Sequence, residues 1–347
     1  MSKKNRNIVV AIVCVVILLS AFYANSKSLF VRQLQGPIEG TDKILSIDGR
    51  LSAVSKENHI YTWQWKDLAV WPVVAKPQAR VAVPIADDKI MYNPLVDSKK
   101  LIITNLKADK ELASLSLPYG AECKKIKTSS NGKFGIVSVI FDEGTQKDWL
   151  KLAIFNSDLK DLSFIFQKDT KAEDFSLYDF AITDDGNLLV GVGRKEKAWI
   201  FVKNIKNDKI LWEKTFDNYA QFTIVKFSPD GKTLFVGEKV RYIISLDSAT
   251  GNTVRVYEIP IYQTPSNQKE NVSCIAISPD GKILAADTEP ACSVWYWDLN
   301  TGKKITSFRA SEFTVSDIAF SPDSKYLATG CLVTPEIKIW KVPQLKD

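Results

Sequence analysis

From residue 28 on, the chain is a succession of short runs in which apolar and polar residues alternate, each closed by a polar turn. Phe222–Ser228 and Lys232–Gly237 flank one such turn, and Ser293-Val-Trp-Tyr-Trp-Asp298 and Ile337-Lys-Ile-Trp340 are further runs. A period of two, rich in β-branched and aromatic residues, predicts strands, whereas stacked helical repeats would show a period of 3.6. The expected class is all-β.

The turns recur. They read Ile47-Asp48-Gly49, Ala86-Asp87-Asp88, Ser130-Asn131-Gly132, Asp184-Asp185-Gly186, Pro229-Asp230-Gly231, Pro279-Asp280-Gly281 and Pro322-Asp323-Ser324. Asp-Gly and Asn-Gly pairs tolerate the positive φ that tight hairpins need. Through Asp48, Asp88, Asn131, Asp185, Asp230, Asp280 and Asp323 the steps are 40, 43, 54, 45, 50 and 43 residues. A second mark, a polar residue closing a third strand, falls at Lys66, Asn105, Asn156, Asn204, Asp247, Asp298 and Lys341, at offsets of 18, 17, 25, 19, 17, 18 and 18 from the first. Two marks in fixed phase define units of four antiparallel strands, a to d, with the first mark at a–b and the second at c–d. Units of this size are propeller blades. The pattern predicts seven of them over 28–347.

Two units carry more. Ile275-Ala-Ile-Ser-Pro-Asp-Gly-Lys-Ile-Leu-Ala285 followed by Val294-Trp-Tyr-Trp-Asp298 resembles a WD40 repeat, as does Ile318-Ala-Phe-Ser-Pro-Asp-Ser-Lys-Tyr-Leu-Ala-Thr-Gly330 followed by Ile337-Lys-Ile-Trp340. Blades 5 to 7 fit this pattern, and blades 1 to 4 match it in phase only. The chain departs from the family in lacking the Gly-His pair before each blade, since its one histidine is His59, and only Trp297-Asp298 keeps the Trp-Asp pair. The family's buried Asp-His-Ser/Thr-Trp network is therefore expected to be missing. The resemblance is to a divergent WD40-like or quinoprotein-like propeller.

Blade 7 runs out of chain after its third strand. Ser28–Gln35 is strand-like, compares with Lys303–Arg309, and is expected to close blade 7 from the other end of the sequence, leaving no inner edge unpaired. Before it, Met1 to Asn7 is basic and Ile8 to Ala24 almost wholly apolar. A basic stub ahead of an apolar run is an export signal. Residues 1–27 are read as a signal-anchor or a signal peptide, with one hydrophobic helix meeting the membrane through residues 8–24 and the basic end inside. The propeller is expected outside the cytoplasm, periplasmic or extracellular, and secreted if the segment is cleaved. The segment enters at the a–b/c–d side, the bottom, so the d–a/b–c side, the top, faces away.

Charge adds little. Of the formal +6, Lys3, Lys4, Arg6 and Lys27 supply four, leaving +2 on the body, where Lys alternates with Asp and Glu. A nucleic-acid partner would call for a concentrated basic face; none is expected. The five cysteines contain no C-x-x-C pair, and no metal or cofactor is expected. Cys292 and Cys331 fall in the b–c loops of adjacent blades, where an exported chain permits a disulfide.

The resemblance to WD40 proteins implies contacts through the top face and the channel. Four d–a loops carry aromatics, Tyr119, Tyr219, Tyr262 and Phe313, and the longest loop is Pro260–Asn271. In blade 3 the offset of 25 places an extended b–c hairpin, Asp142-Glu-Gly-Thr-Gln-Lys-Asp-Trp149, on the same side. Tyr119, Tyr219, Tyr262, Phe313 and Trp149 are thus the candidate contacts for a protein partner, because aromatics in partly exposed pockets anchor interfaces. Trp65, Trp295, Trp297 and Trp340, in c strands, are expected between blades. The best reading is a non-catalytic binding scaffold. The alternative is a propeller enzyme, hydrolase or quinoprotein-like oxidoreductase, with a carboxylate-lined channel mouth built from Asp42, Asp97, Asp174, Asp287 and Glu270. No spacing singles out a pair of these, surface solvation accounts for each, and no nucleophile motif accompanies His59.

Overall fold

The recurring turns do what their sequences require. Asp48, Asp87, Asp88 and Ser324 adopt positive φ, as do Gly49, Gly132, Gly186, Gly231 and Gly281. Each reverses the chain between an a and a b strand. The computed structural model describes residues 29–36, 40–68, 72–107, 110–117, 121–142, 148–156, 163–169, 175–219, 221–239, 242–259, 271–289 and 292–345. Within them, 28 strands form seven four-stranded antiparallel sheets. Six are consecutive in sequence, beginning with Thr41–Ile47, Arg50–Ser55, Ile60–Gln64 and Val73–Ala75 in blade 1.

The seventh sheet is closed as expected. Val315–Phe320, Tyr326–Cys331 and Glu336–Lys341 are joined by Phe30–Gln35, whose register against the c strand runs from Phe30↔Trp340 to Gln35↔Glu336. Leu34 enters the core. The predicted N-terminal helix lies outside the described residues, and among those described no helix is long and apolar enough to cross a membrane.

Core packing is between blades. Trp295, Trp297 and Trp340 are buried as expected. Trp65 is not a c-strand residue: the strand ends at Gln64, and Trp65 sits half-buried in the following turn, donating its indole N–H to Ser46 Oγ at 2.9 Å. Trp63 takes the core position instead, because it is in register with Leu51 and so shares that residue's face. The blade 3 hairpin is extended, with nine-residue strands Phe134–Asp142 and Asp148–Asn156 paired out to Asp142↔Asp148. Blade 4 matches it, with Leu188–Lys195 and Lys197–Asn204 turning tightly at Glu196, which has positive φ.

All seven a strands share an irregularity near their start. The register slips between Thr41 and Lys43, Ala79 and Val81, Cys123 and Lys125, Leu177 and Asp179, Phe222 and Ile224, Val272 and Cys274, and Val315 and Asp317. A bulge leaves one residue unpaired and re-aims the next. Repeated in every blade, it sets one equivalent position on the innermost strand all round the ring.

Candidate functional site

Top and bottom differ in how much apolar surface they show. Of the exposed large apolar side chains, ten lie on outer d strands, four lie in top-side loops, and none lies in an a–b turn or c–d loop among the described residues. The four are Leu95 and Val96 in the b–c loop of blade 2, Phe313 in the loop entering blade 7, and Val333 in the b–c loop of blade 7. Phe313 is 46% exposed and Val333 58%, and their loops are joined by Leu332 N–H donating to Thr314 O at 3.1 Å. The bottom turns instead satisfy themselves. Ser228, Ser278 and Ser321 hydroxyls bond Asp230, Asp280 and Asp323 at 2.6, 2.5 and 2.6 Å.

Of the predicted contact residues, Phe313 stands free at the top. Tyr219 is half-buried in an aromatic group with Phe216, Phe222 and Tyr242, at ring separations of 6.2, 5.5 and 6.2 Å. Tyr119 and Tyr262 lie outside the described residues, and for Trp149 the backbone alone is described, at the top of the blade 3 hairpin.

The central channel was the part sequence reasoning missed. Asp179, at the shared position of blade 4, keeps 3% of its side-chain surface. It pairs with Lys125 at 3.0 Å and accepts from Lys127 at 2.7 Å, both on strand a of blade 3, Ala121–Thr128. Its Oδ2 also accepts from Val225 N–H of blade 5 at 3.1 Å. Asp317 repeats this device at the same position of blade 7: its Oδ2 accepts from Ile44 N–H of blade 1 at 3.1 Å, and its Oδ1 from Ile318 N–H at 2.9 Å. Each carboxylate thus ties its blade to the next through a backbone N–H. Their only sequence signal is an Asp within an a strand, four residues in for Asp179 and two for Asp317, indistinguishable from a solvated one until the bulge turns it inward.

Burial raises the Asp179 carboxyl, but Lys127 and Lys125 outweigh it and hold the group near 2. For Lys127, burial is the largest effect; it wins over Asp179 and brings the ammonium from 10.5 to about 7. The unfolded chain keeps that proton up to 10.5, so folding releases a proton between the two values, and stability rises with pH across that window. Lys43, also pulled down by burial, acts the same way, while Asp317, raised by burial, opposes it starting from the ordinary carboxylate range. We expect the guanidinium midpoint to increase from pH 7 to pH 9, with Lys127 contributing up to about 1.4 kcal/mol per pH unit. The check is whether Lys127→Met flattens that slope; an unchanged slope would assign it elsewhere.

The carboxylates weighed for an enzyme do not gather. Asp42 is exposed, Asp97 pairs with Lys100 at 3.1 Å, and Asp174 and Glu270 lie outside the described residues. Asp287 is not the solvated residue expected: it is fully buried on strand b of blade 6 and accepts from Ser273 Oγ at 2.8 Å, because that strand is enclosed by its neighbours. His59 Nδ1 stands 3.9 Å from Glu57, and among the described residues no group of three His, Cys, Asp or Glu could hold a metal. Cys292 and Cys331 are buried thiols that form no disulfide. Cys331 ends strand b of blade 7 rather than lying in the loop, and its sulfur accepts from Thr334 N–H at 3.5 Å.

Comparison with known proteins agrees with this geometry. The family described as WD domain, G-beta repeat matches residues 260–296 and 302–341, which hold strands of blades 6 and 7. A solved β-propeller domain, Cps50 (Swd1) of Myceliophteria thermophila, superposes with a TM-score of 0.65 over 90% of this chain and 99% of that one, at 13% identity. The chain is a WD40-like β-propeller. Its relatives include a periodic tryptophan protein 2 homolog of Dictyostelium discoideum, 26% identical over 124 residues, and the SAGA complex subunit Spt8 of Schizosaccharomyces pombe, 27% identical over 176. The matches cover 35% and 48% of this chain but 12% and 30% of those proteins, so the similarity spans less than a third of either relative. One half of the WD40 network survives after all. In blade 7, Trp340 Nε1 donates to Thr329 Oγ1 at 3.0 Å, buried between strands b and c. The Thr–Trp bond needs no histidine, so it persists where the Asp-His half has no residues to build it.

Proposed function

We propose that this WD40-like propeller is a non-catalytic scaffold that takes a protein partner on its top face, held outside the cytoplasm by the apolar segment at residues 8–24. The observation that carries the reading is the asymmetry of exposed apolar side chains. Phe313, Val333, Leu95 and Val96 stand on top loops, whereas the bottom turns consume their own polar groups. Exposed apolar groups rimmed by polar residues mark interaction surfaces. Kinship with a protein whose name places it in a complex supports a protein partner. The dispersed carboxylates support a scaffold over the propeller-enzyme alternative. Tyr119 and Tyr262, in sequence segments that join d to a strands, and Trp149, at the end of the blade 3 hairpin, are assigned to the same face, and Tyr219 supports it from beneath.

The test is partner capture from detergent-solubilised membranes, followed by affinity measurement. Phe313→Ala is expected to weaken binding about thirtyfold, the scale of a good aromatic anchor, with the melting temperature unchanged. Tyr219→Ala should lower both, because it removes interblade packing. Equal loss of binding from Lys232→Ala and Lys282→Ala, beside the bottom turns, would move the site to the other face.

A further inference from the structure

The bulges that aim Asp179 and Asp317 inward also aim cations there. Lys43 and Lys125 occupy the same shared position in blades 1 and 3. Lys127 lies two residues further along strand a of blade 3, and Lys226 holds the matching place in blade 5. The six groups come from five blades, yet they act on one another. Lys43 feels its neighbour Asp42 first, then Lys125, Asp317 and Asp179; Lys127 feels Asp179, Lys226 and Lys125; Asp317 feels Lys226 and Lys127. Groups on innermost strands of non-adjacent blades interact in this way only across the channel.

The cluster is unevenly paired. Asp179 is shared by two ammonium groups, and Asp317 spends both oxygens on backbone N–H groups. Among the described residues neither Lys43 nor Lys226 forms an ion pair or side-chain hydrogen bond. Other carboxylates nearby do not close the gap. Asp42 lies beside Lys43 but is exposed, and Asp287 sits a strand further out, engaged with Ser273. Four lysines against two carboxylates leave an excess of up to two positive charges, reached in full when a bound anion keeps Lys127 and Lys43 protonated against their burial, in a space of low dielectric where like charges otherwise repel strongly. Solvent still reaches them: the Lys125 and Lys127 side chains keep 35% and 21% of their surface.

We propose that the central channel binds a compact oxyanion of the phosphate class, held by Lys43, Lys125, Lys127 and Lys226, with Asp179 and Asp317 fixing the frame. The excess of two matches a dianion. Lysine presents compact point charges that converge on a tetrahedral group, whereas arginine's planar fork suits a bidentate carboxylate, and no arginine belongs to the cluster. This goes beyond the top-face reading and does not depend on it, since no partner enters the test.

The experiment is thermal unfolding of the full-length protein in detergent with increasing inorganic phosphate, ionic strength held constant with sodium chloride, and calorimetric titration alongside. A ligand that binds the native state raises the midpoint in a saturable way. We expect saturation with one phosphate per chain, and at least tenfold weaker binding in Lys43→Met/Lys226→Met and in Lys43→Gln/Lys226→Gln. Lys232→Met/Lys282→Met, on the bottom turns, should bind as the wild type does. Glycerol 3-phosphate is the second arm: tighter binding than inorganic phosphate points to a phosphomonoester, weaker binding to the free ion, and either supports the site. A rise that never saturates and is shared by the channel variants is the general effect of an excluded salt and overturns the proposal. No rise in the wild type, or equal loss in the bottom-turn variant, does the same.

Discussion

Asp179→Asn is expected to lower stability by about 3–5 kcal/mol, the range for breaking a buried ion pair by removing one partner. The loss comes from what is left behind. Lys125 and Lys127 lie 3.0 and 2.7 Å from the carboxylate oxygens, and without that charge two ammonium groups on one strand share no counter-charge. Asn can still accept from Val225 N–H, so the tie to blade 5 is retained and the measured loss is mostly charge. Lys127→Met should cost much less, because it removes the more enclosed cation and leaves Lys125 to pair with Asp179. Guanidinium unfolding of both variants decides the matter. Equal losses would mean that leaving two ammonium groups without their carboxylate costs no more than removing one of them, and would sink this account.

A chain beginning at Gly36 should be less stable than one beginning at Lys27 by on the order of 4 kcal/mol, from the burial of Leu34 and several strand hydrogen bonds. Phe30–Gln35 is the outer strand of blade 7, and it holds Phe30 against Trp340 at a ring separation of 5.5 Å. Its removal bares the edge of Glu336–Lys341 and cuts the link between the chain's two ends that completes the ring. Blade 7 also packs on blade 1, where Ile44 N–H bonds Asp317, so the damage should spread to that seam. Melting temperatures of the two chains give the answer, and identical values would sink the closure account. The shorter chain should also aggregate more readily, which light scattering would detect.

The sequence by itself determined the architecture. Strand polarity is local, and a turn such as Pro229-Asp-Gly231 needs residues that accept positive φ, so blade number, strand order and the closing strand could be read from spacing. The long hairpin of blade 3 was legible for the same reason: extra residues between two marks have one place to go. What the side chains meet was decided only by the tertiary structure. The alternation that separates the two faces of a strand is interrupted by the a-strand bulges, and a bulge leaves no reliable trace in a run such as Ser176-Leu-Tyr-Asp179. Asp179 and Asp317 are therefore enclosed with nothing in the sequence to set them apart from solvated carboxylates, and Asp287, weighed as solvated, is buried because its neighbours enclose strand b of blade 6. Trp63 and Trp65, two residues apart, would share a face in an unbroken strand, yet the strand ends between them and one packs inside while the other caps a turn. The channel's charge is more distributed still. Lys43, Lys127 and Lys226 lie far apart along the chain and become neighbours only when seven blades close a ring, because electrostatic interaction follows distance in space and not separation in sequence.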